Sequence, residues 1–429
     1  MAFTDPVDNV NKIVIGIDFG TTFSGVAWAH SGTPETIEFV TNWESASNRS
    51  GDSYKTPSQL CYDGNDEVAS WGYGIEDPSK AVSWFKLLLL EDVDVPSEVA
   101  ATSHFLELKK VQGSSGKESI EFVGDYLGVL WQHALATIKR AEGSEVVKGC
   151  DLRVTITVPA DWPPYTHDRV RKAAERAGIS SVRKGRNVTI GLLSEPEAGA
   201  LATLKDMGKK ASLELGDNVI VCDAGGGTVD IISYTIAGLH PFTVTECVQG
   251  NSGLCGGIFL DDRFLTMVTE KLKEKSSVTL DKTHKAAFLE REWETGAKLG
   301  FMNQAKSWLI ELPTNALSGI GKRPRTLQFS RQDMFLIFDP IIRLTESLVM
   351  EQVRAIRATK GREPKVGDTQ FFQGFVLTLR VVRRAGRWLW SQCLSLQAAV
   401  GVCGKPDTRA TVCWDKTVRY IACPLESLD

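Results

Sequence analysis

Two segments of this chain follow the same plan at a separation that only a two-lobed fold accommodates easily. In IVIGIDFGTTFSGVAWAH, residues 13–30, Ile13, Ile15 and Ile17 alternate with Val14, Gly16 and Asp18. Gly20-Thr21-Thr22 then turns the chain, and Phe23 to Ala29 reads as a returning strand. In NVIVCDAGGGTVDIISYTI, residues 218–236, an apolar strand again ends in an acid, Asp223. A glycine turn, Thr228 and a second strand follow. One such hairpin is an ordinary tight turn. Two copies, with their aspartates 205 positions apart, predict two similar lobes that each open on a strand–turn–strand unit.

The remaining segments predict an α/β chain. Asp77-Pro78 predicts a capped helix running through Trp84, Phe85 and Lys86. Residues 121–142 read as a long amphipathic helix, 153–160 as a buried strand halted by proline, and 167–179 as a helix ended by glycine. Residues 188–204 run strand, turn, helix, with Pro196 at the helix start, and the polar stretch 205–217 reads as the connection between lobes. A glycine turn leads into a helix at about Leu260, residues 261–310 read as mostly helical, and 331–360 as a capped helix with Asp339-Pro340 near its middle. The expected division is a first lobe over 12–205, a second over 206–365 and a tail over 366–429. The tail holds four of the nine cysteines and three of the eleven tryptophans without clear periodicity, and reads as a frameshifted or unspliced stretch.

Composition narrows the function classes. Apolar residues are 42% and charged residues 24%, a globular balance. The longest aliphatic run, Leu87 to Leu90, is far short of the roughly 20 residues of a membrane helix. A net charge of −4 argues against a general nucleic-acid binder. Residues 1–12 have neither a basic start nor an apolar core, so no secretory leader is expected. The cysteines then read as reduced thiols, in the cytoplasm or, as the other compartment open to such a chain, the nucleus.

The paired turns suggest a chemistry. A glycine turn directs several backbone N–H groups at one point and lets a phosphate approach where no Cβ intervenes. Gly225-Gly226-Gly227 with Thr228 supplies this, and Gly20-Thr21-Thr22 supplies it again. Asp18 and Asp223 cannot meet phosphate directly, but each can hold Mg²⁺ through water. The glycines do not form a dinucleotide fingerprint, because strands rather than helices follow both turns.

GIDFGTTFSGVAW resembles the first phosphate loop of the actin, hexokinase and heat-shock chaperone superfamily, and VCDAGGGTVDI resembles its second. VTITVPADW, RVRKAAERAGI, LLSEPEAGAL and LCGGIFLDDRF resemble the heat-shock protein 70 family in the right order, over about residues 12–360. WFKLLL and VPADW are similar to its divergent fungal members. The resemblance implies a two-lobed actin-like ATPase fold, each lobe a mixed sheet with flanking helices and a phosphate-binding hairpin. It implies ATP and Mg²⁺ as ligands and co-chaperones as partners, with no nucleic acid and no membrane.

By that resemblance, Asp18, Gly20, Thr21 and Thr22 belong to the first loop, and Gly225, Gly226, Gly227 and Thr228 to the second. Asp18 and Asp223 hold the metal through water. Lys86 positions the attacking water, its alternative being a snorkelling surface lysine. Glu195 orders the metal's water shell, its alternative being a helix-capping acid. Asp230 is a further acid near the water, and Gly256 and Gly257 pass near the sugar. Asp261 and Asp262 receive no chemical role.

Two departures stand out. The family's late VGG turn and SRxP are replaced by VGDTQFFQGF, and its adenosine-side E-x-x-K pair by Glu294 and Lys298 with one extra residue between them. The chain also has no expected room for a peptide-binding domain. The leading expectation is therefore an ATP-binding, ATP-hydrolysing heat-shock-70-like protein without its own peptide-binding domain. The alternatives are a catalytically impaired nucleotide-binding scaffold and a small-molecule kinase of the superfamily.

Overall fold

The computed structural model describes residues 11–34, 36–46, 53–160, 162–180, 187–199, 202, 214–239, 242–275, 279–280, 288–312, 317–318, 325–361, 378–384 and 387–393. The first lobe is built on a mixed sheet. β1 (Lys12–Phe19) and β2 (Phe23–His30) form the first hairpin. The two-residue strands β3 (Glu38–Phe39) and β4 (Thr56–Pro57) pair with opposite ends of β2. A small side sheet comprises β5 (Gln59–Tyr62), β6 (Val68–Trp71) and β7 (Val82–Ser83). On the other side of β1, β8 (Asp151–Val158) and then β9 (Val188–Ser194) add in parallel.

Side-chain alternation decides which way β1 faces. Ile13, Ile15, Ile17 and Phe19 are fully buried, so Asp18 must project from the opposite face. Helices α1 (Ser103–Ser115), α2 (Ser119–Glu142) and α3 (Pro164–Arg176) accompany this sheet. Helix α2 buries Phe122, Tyr126, Leu127 and Leu130 in the first core. Its Gly124 lies against the Arg176 side chain of α3, 2.8 Å from where a β-carbon would stand.

The second lobe repeats the hairpin. β10 (Asn218–Ala224), β11 (Val229–Leu239) and β12 (Phe242–Gly253) form an antiparallel meander. Helix α4 (Gly257–Lys275) follows directly, and α5 (Arg331–Lys360) crosses the sheet, with Val349 and Val353 meeting Val229 and Ile231. Ser330 caps α5 in a reciprocal box with Asp333, Gly361 ends it at φ +62°, and Pro340 sits inside it without breaking it. A separate core around Phe264, Trp293, Phe329 and Phe338 joins α4, α5 and the pair β14 (Trp308–Glu311) with β16 (Thr326–Phe329); β13 (Thr279–Leu280) and β15 (Leu317–Ser318) form another short pair.

Four expectations need correction or qualification. No single helix runs from Asp77 to Lys86. Asp77 does cap a turn, accepting from Ser79 N, but that 3₁₀ turn ends at Lys80, and β7 intervenes before a second 3₁₀ turn, Phe85–Leu89. Trp84 takes a left-handed backbone, φ +65°, between them, a conformation that costs a non-glycine residue about 1 kcal/mol or more. Residues 261–310 are mostly helical among the described residues, as expected, with β13 and the start of β14 at Trp308 interrupting them. Among the described residues the second lobe's sheet is purely antiparallel rather than mixed. A parallel strand needs a crossover, and the chain leaving α5 at Gly361 enters residues 362–377, outside the described set. In the tail, β17 (Thr378–Arg384) and β18 (Arg387–Cys393) pair with one another as a separate hairpin, while the packing of Trp388, Trp390 and Trp414 lies outside the described residues. Among the described residues no helix is long and apolar enough to cross a membrane.

Candidate functional site

The two hairpin turns meet. The first needs glycine at position 20, where a β-carbon would overlap the Phe23 carbonyl oxygen. It is braced from β4–β5: Ser58 Oγ donates to the Gly20 carbonyl at 2.7 Å and Ser58 N to the Thr22 carbonyl at 2.8 Å. The second turn closes on itself through Gly225 N donating to Thr228 O at 2.8 Å. At the interface Gly226 lies against the Thr22 side chain, and a β-carbon on Gly227 would sit 3.3 Å from Thr21 Oγ1.

Gly256 and Gly257, assigned by resemblance to the sugar side, buttress the second turn from behind. Gly256 N donates to Gly227 O at 3.2 Å, Gly257 N to Gly225 O at 3.1 Å and Ile258 N to Gly226 O at 2.9 Å. A β-carbon on Gly256 would overlap the Gly226 carbonyl. The start of α4 thus takes up the carbonyls of all three turn glycines, an arrangement that lets such a turn offer N–H groups to an anion.

The charged residues gather at the strand ends behind these turns. Lys86 is not a snorkelling surface lysine, because it is 2% exposed. Its ammonium donates to the Phe19 carbonyl at 2.6 Å, pairs with Glu195, and lies 5.3 and 5.4 Å from the ring centres of Phe19 and Trp162. Glu195 stands at the first residue of the helical turn after β9. It combines a helix-start position with an ion pair to Lys86.

Asp18 accepts from Thr157 Oγ1 at 3.1 Å and pairs through its other oxygen with Lys55 at 2.6 Å. Burial would raise the Asp18 pKa, but Lys55, helped by Lys86 and Thr157, holds it below the usual carboxylate value. For Lys55 the balance is reversed: burial disfavours its charge, and Asp18, Asp223 and Glu195 outweigh that and raise its pKa. Burial, with the charges of Glu195 and Asp18, pushes Asp223 up to about 7. Asp230 is opposite Asp223 in the β10–β11 register, and its Oδ2 accepts from Thr228 Oγ1 at 2.8 Å.

The structure therefore brings Asp18, Glu195, Lys86 and Asp223 within electrostatic reach of one another, next to both turns. Hard carboxylate oxygens beside a glycine cradle suit a hydrated Mg²⁺ with a polyphosphate. Lys55 is the residue that sequence reasoning missed. A lone lysine ahead of Thr56-Pro57 carries no motif, and only the pairing of β4 on β2 takes it to Asp18.

The extra residue in the Glu294–Lys298 segment has a structural answer. Residues Leu289–Ala297 form a π-helical stretch, in which Lys298 N–H donates to the carbonyl five residues back, Trp293 O. Lys298 lies four residues after Glu294, a spacing that keeps both on one helix face, and its Nζ reaches Glu294 at 2.7 Å and also Asp261 at 2.6 Å. Asp261 further accepts from Trp293 Nε1 at 2.7 Å. The acid left without a role thus organises the buried end of this pair. Asp262 Oδ1 lies 3.4 Å from His104 Nδ1 of the first lobe.

The profile of the family described as Hsp70 protein matches residues 14–360. Heat shock 70 kDa protein 12A of Mus musculus is 26% identical over 322 residues, covering 61% of this chain and 46% of that protein. Heat shock 70 kDa protein 12B of Homo sapiens is 24% identical over 344 residues, covering 65% and 48%, and the mitochondrial heat shock 70 kDa protein of Solanum tuberosum is 27% identical over 339 residues, covering 78% and 45%. The chain spans about half the length of these curated relatives. Both facing turns, Lys86, Glu195 and the three aspartates at the strand ends lie inside the matched span, and the chain belongs to the Hsp70 family, of which it carries an actin-like nucleotide-binding domain.

Proposed function

We propose that this chain binds Mg²⁺-ATP between the two turns and transfers its terminal phosphoryl group to water. The observation that carries this reading is the buried ammonium of Lys86, held by Phe19 O and Glu195 at the end of β1, next to the first turn. Taking an ammonium and its carboxylate out of water costs several kcal/mol, which even good pairing seldom more than offsets, so a lysine kept there is better explained by chemistry at the site than by stability. Turn N–H groups would bind phosphate oxygens, and Thr21, Thr22 and Thr228 would add hydroxyls. Asp18 and Asp223 would hold the metal's waters, and Mg²⁺ when bound neutralises phosphate oxygens. Lys86 would orient the attacking water, with Glu195 fixing the ammonium and Asp230 aligned behind Thr228. Positioning and electrostatics supply most of the catalysis in such a reaction.

A scaffold that binds nucleotide without turnover is the second reading. It is favoured by Lys55 standing on Asp18 Oδ2, an oxygen that a metal's water would otherwise use. Single-turnover phosphate release from ATP, measured beside Mg²⁺-ADP affinity, separates the two. The ATPase reading expects Lys86→Ala to lower the rate by about a hundredfold or more while affinity changes by only a few fold, since the residue acts on the transition state. Binding without release by the unsubstituted chain would establish the scaffold instead. Nucleotide-linked work with co-chaperones, as in the family at large, is part of the same proposal.

A further inference from the structure

Lys55 owes its place to strand register. Phe23 pairs with Pro57 and Ser24 with Thr56, so the next residue back, Lys55, falls beside Gly25. Gly25 in turn pairs with Asp18 across the first hairpin. Lys55, Gly25 and Asp18 therefore form a row across three strands, and the lysine stem crosses the middle member to reach the third. Glycine keeps that path uncrowded: a β-carbon at position 25 would stand 3.2 Å from Lys55 Cγ and 3.0 Å from Tyr54 O.

This ion pair is placed differently from that of Lys86. The Lys55 and Asp18 side chains are 28% and 41% exposed, so water and ligands reach both. Protein surrounds the pair closely enough to disfavour either charge alone, yet its partial exposure leaves it accessible to a ligand from the cleft. Both Asp18 oxygens are already taken, one by Thr157 and one by Lys55. A metal hydrate held by Asp18 at that second oxygen would compete with Lys55 for it. Lys86 is committed to Phe19 O and Glu195, so of the two lysines Lys55 is the one able to turn toward an incoming anion.

We propose that Lys55 is a phosphate-binding residue, a tethered ammonium that exchanges Asp18 for a nucleotide phosphate when a hydrated Mg²⁺ takes over the Asp18 carboxylate. The inference rests on the nucleotide-binding reading and adds to it that the site carries its own cation. Without Mg²⁺, Lys55 offsets the acidic floor and sustains part of the phosphate binding. Without Lys55, phosphate binding depends on the metal.

The test measures ADP dissociation constants by calorimetry on the full chain, in EDTA and in Mg²⁺, for the unsubstituted protein, Lys55→Met and Lys55→Arg. Loss of one charge-assisted contact predicts that Lys55→Met weakens binding in EDTA by about tenfold or more, and by a smaller factor in Mg²⁺. The Mg²⁺ concentration for half-maximal binding should fall in Lys55→Met, because the competitor for Asp18 is gone. Lys55→Arg should keep the metal-free binding, and a loss equal to that of Lys55→Met would overturn the charge argument. An equal EDTA-to-Mg²⁺ ratio in the unsubstituted chain and Lys55→Met would overturn the role of Lys55 while leaving nucleotide binding intact. No ADP binding by the unsubstituted chain in either buffer would overturn the nucleotide reading and this one with it.

Discussion

Gly226 of the second lobe lies so close to Thr22 of the first that a β-carbon on the glycine would stand 3.0 Å from Thr22 Cβ and overlap the threonine hydroxyl. The two turns can approach this closely only while position 226 has no side chain. Gly226→Ala should therefore force them apart and weaken Mg²⁺-ADP binding by about tenfold or more, a displacement cost of 1.4 kcal/mol. Thr22→Ala combined with it should recover part of the loss, and a double-mutant cycle by calorimetry measures that recovery. Unchanged affinity in Gly226→Ala would place the phosphate site elsewhere.

Trp293 is fully buried, stacked on Phe264 with ring centres 4.3 Å apart and tied through its indole N–H to Asp261. Trp293→Ala leaves a large cavity and releases one partner of Asp261. It should cost about 3–5 kcal/mol of stability, read from denaturant unfolding. A cost below about 1 kcal/mol would mean that this core collapses around the gap.

The Asp223 carboxyl, pushed up to about 7 from an ordinary 3.8, gives a pH dependence of definite sign. Between those values the folded, metal-free chain holds a proton that the unfolded chain has lost. This group's contribution to stability therefore declines as pH rises from about 4 and is fully unfavourable above about 7. If Asp223 holds the metal's waters as proposed, it must do so as the carboxylate, so Mg²⁺-ADP affinity should rise between pH 6 and 8, with release of at most about one proton. Calorimetry in buffers of different ionisation enthalpy reads that proton directly. Asp223→Asn should flatten the profile; a profile that keeps its slope would assign it to another group.

Lys298 is held inside the second lobe by Asp261 and Glu294, with 4% of its side chain exposed. Burial pushes the Glu294 carboxyl up against the pull of Lys298. Although 42% of the Glu294 side chain is exposed, the ammonium of Lys298 is so enclosed and so fully paired that it is poorly placed to read a purine. Discrimination between ATP and GTP should be weak, with dissociation constants within about threefold, under 1 kcal/mol. Competition of each against a fluorescent ADP analogue measures the ratio, and a strong preference for ATP would require a purine pocket built from other residues.

Much of the site was legible because it is local. The alternation of Ile13, Ile15 and Ile17 determines by itself that Asp18 leaves the core face, since side chains on a strand alternate. Gly20 and Gly226 stand in turns where a β-carbon would overlap a neighbour, and the resemblance drew Lys86 and Glu195 to the same place. What the sequence did not disclose depends on register and winding between distant segments. Lys55 meets Asp18 only because a two-residue strand, β4, pairs with β2 in one register and Gly25 leaves the path clear. Asp261 meets Lys298 because α4 packs against the π-helical stretch in one core, a contact between segments 37 positions apart. The run from Asp77 to Lys86 shows the same limit from the other side, where local signals predicted one helix and burial of Phe85 through Leu89 produced a strand and two short turns. Periodicity and turn chemistry belong to neighbours along the chain, and so the sequence determined the hairpins and their facing acids. Ion pairs across strands and lobes belong to neighbours in space, and the tertiary structure alone decided which lysine faces which carboxylate.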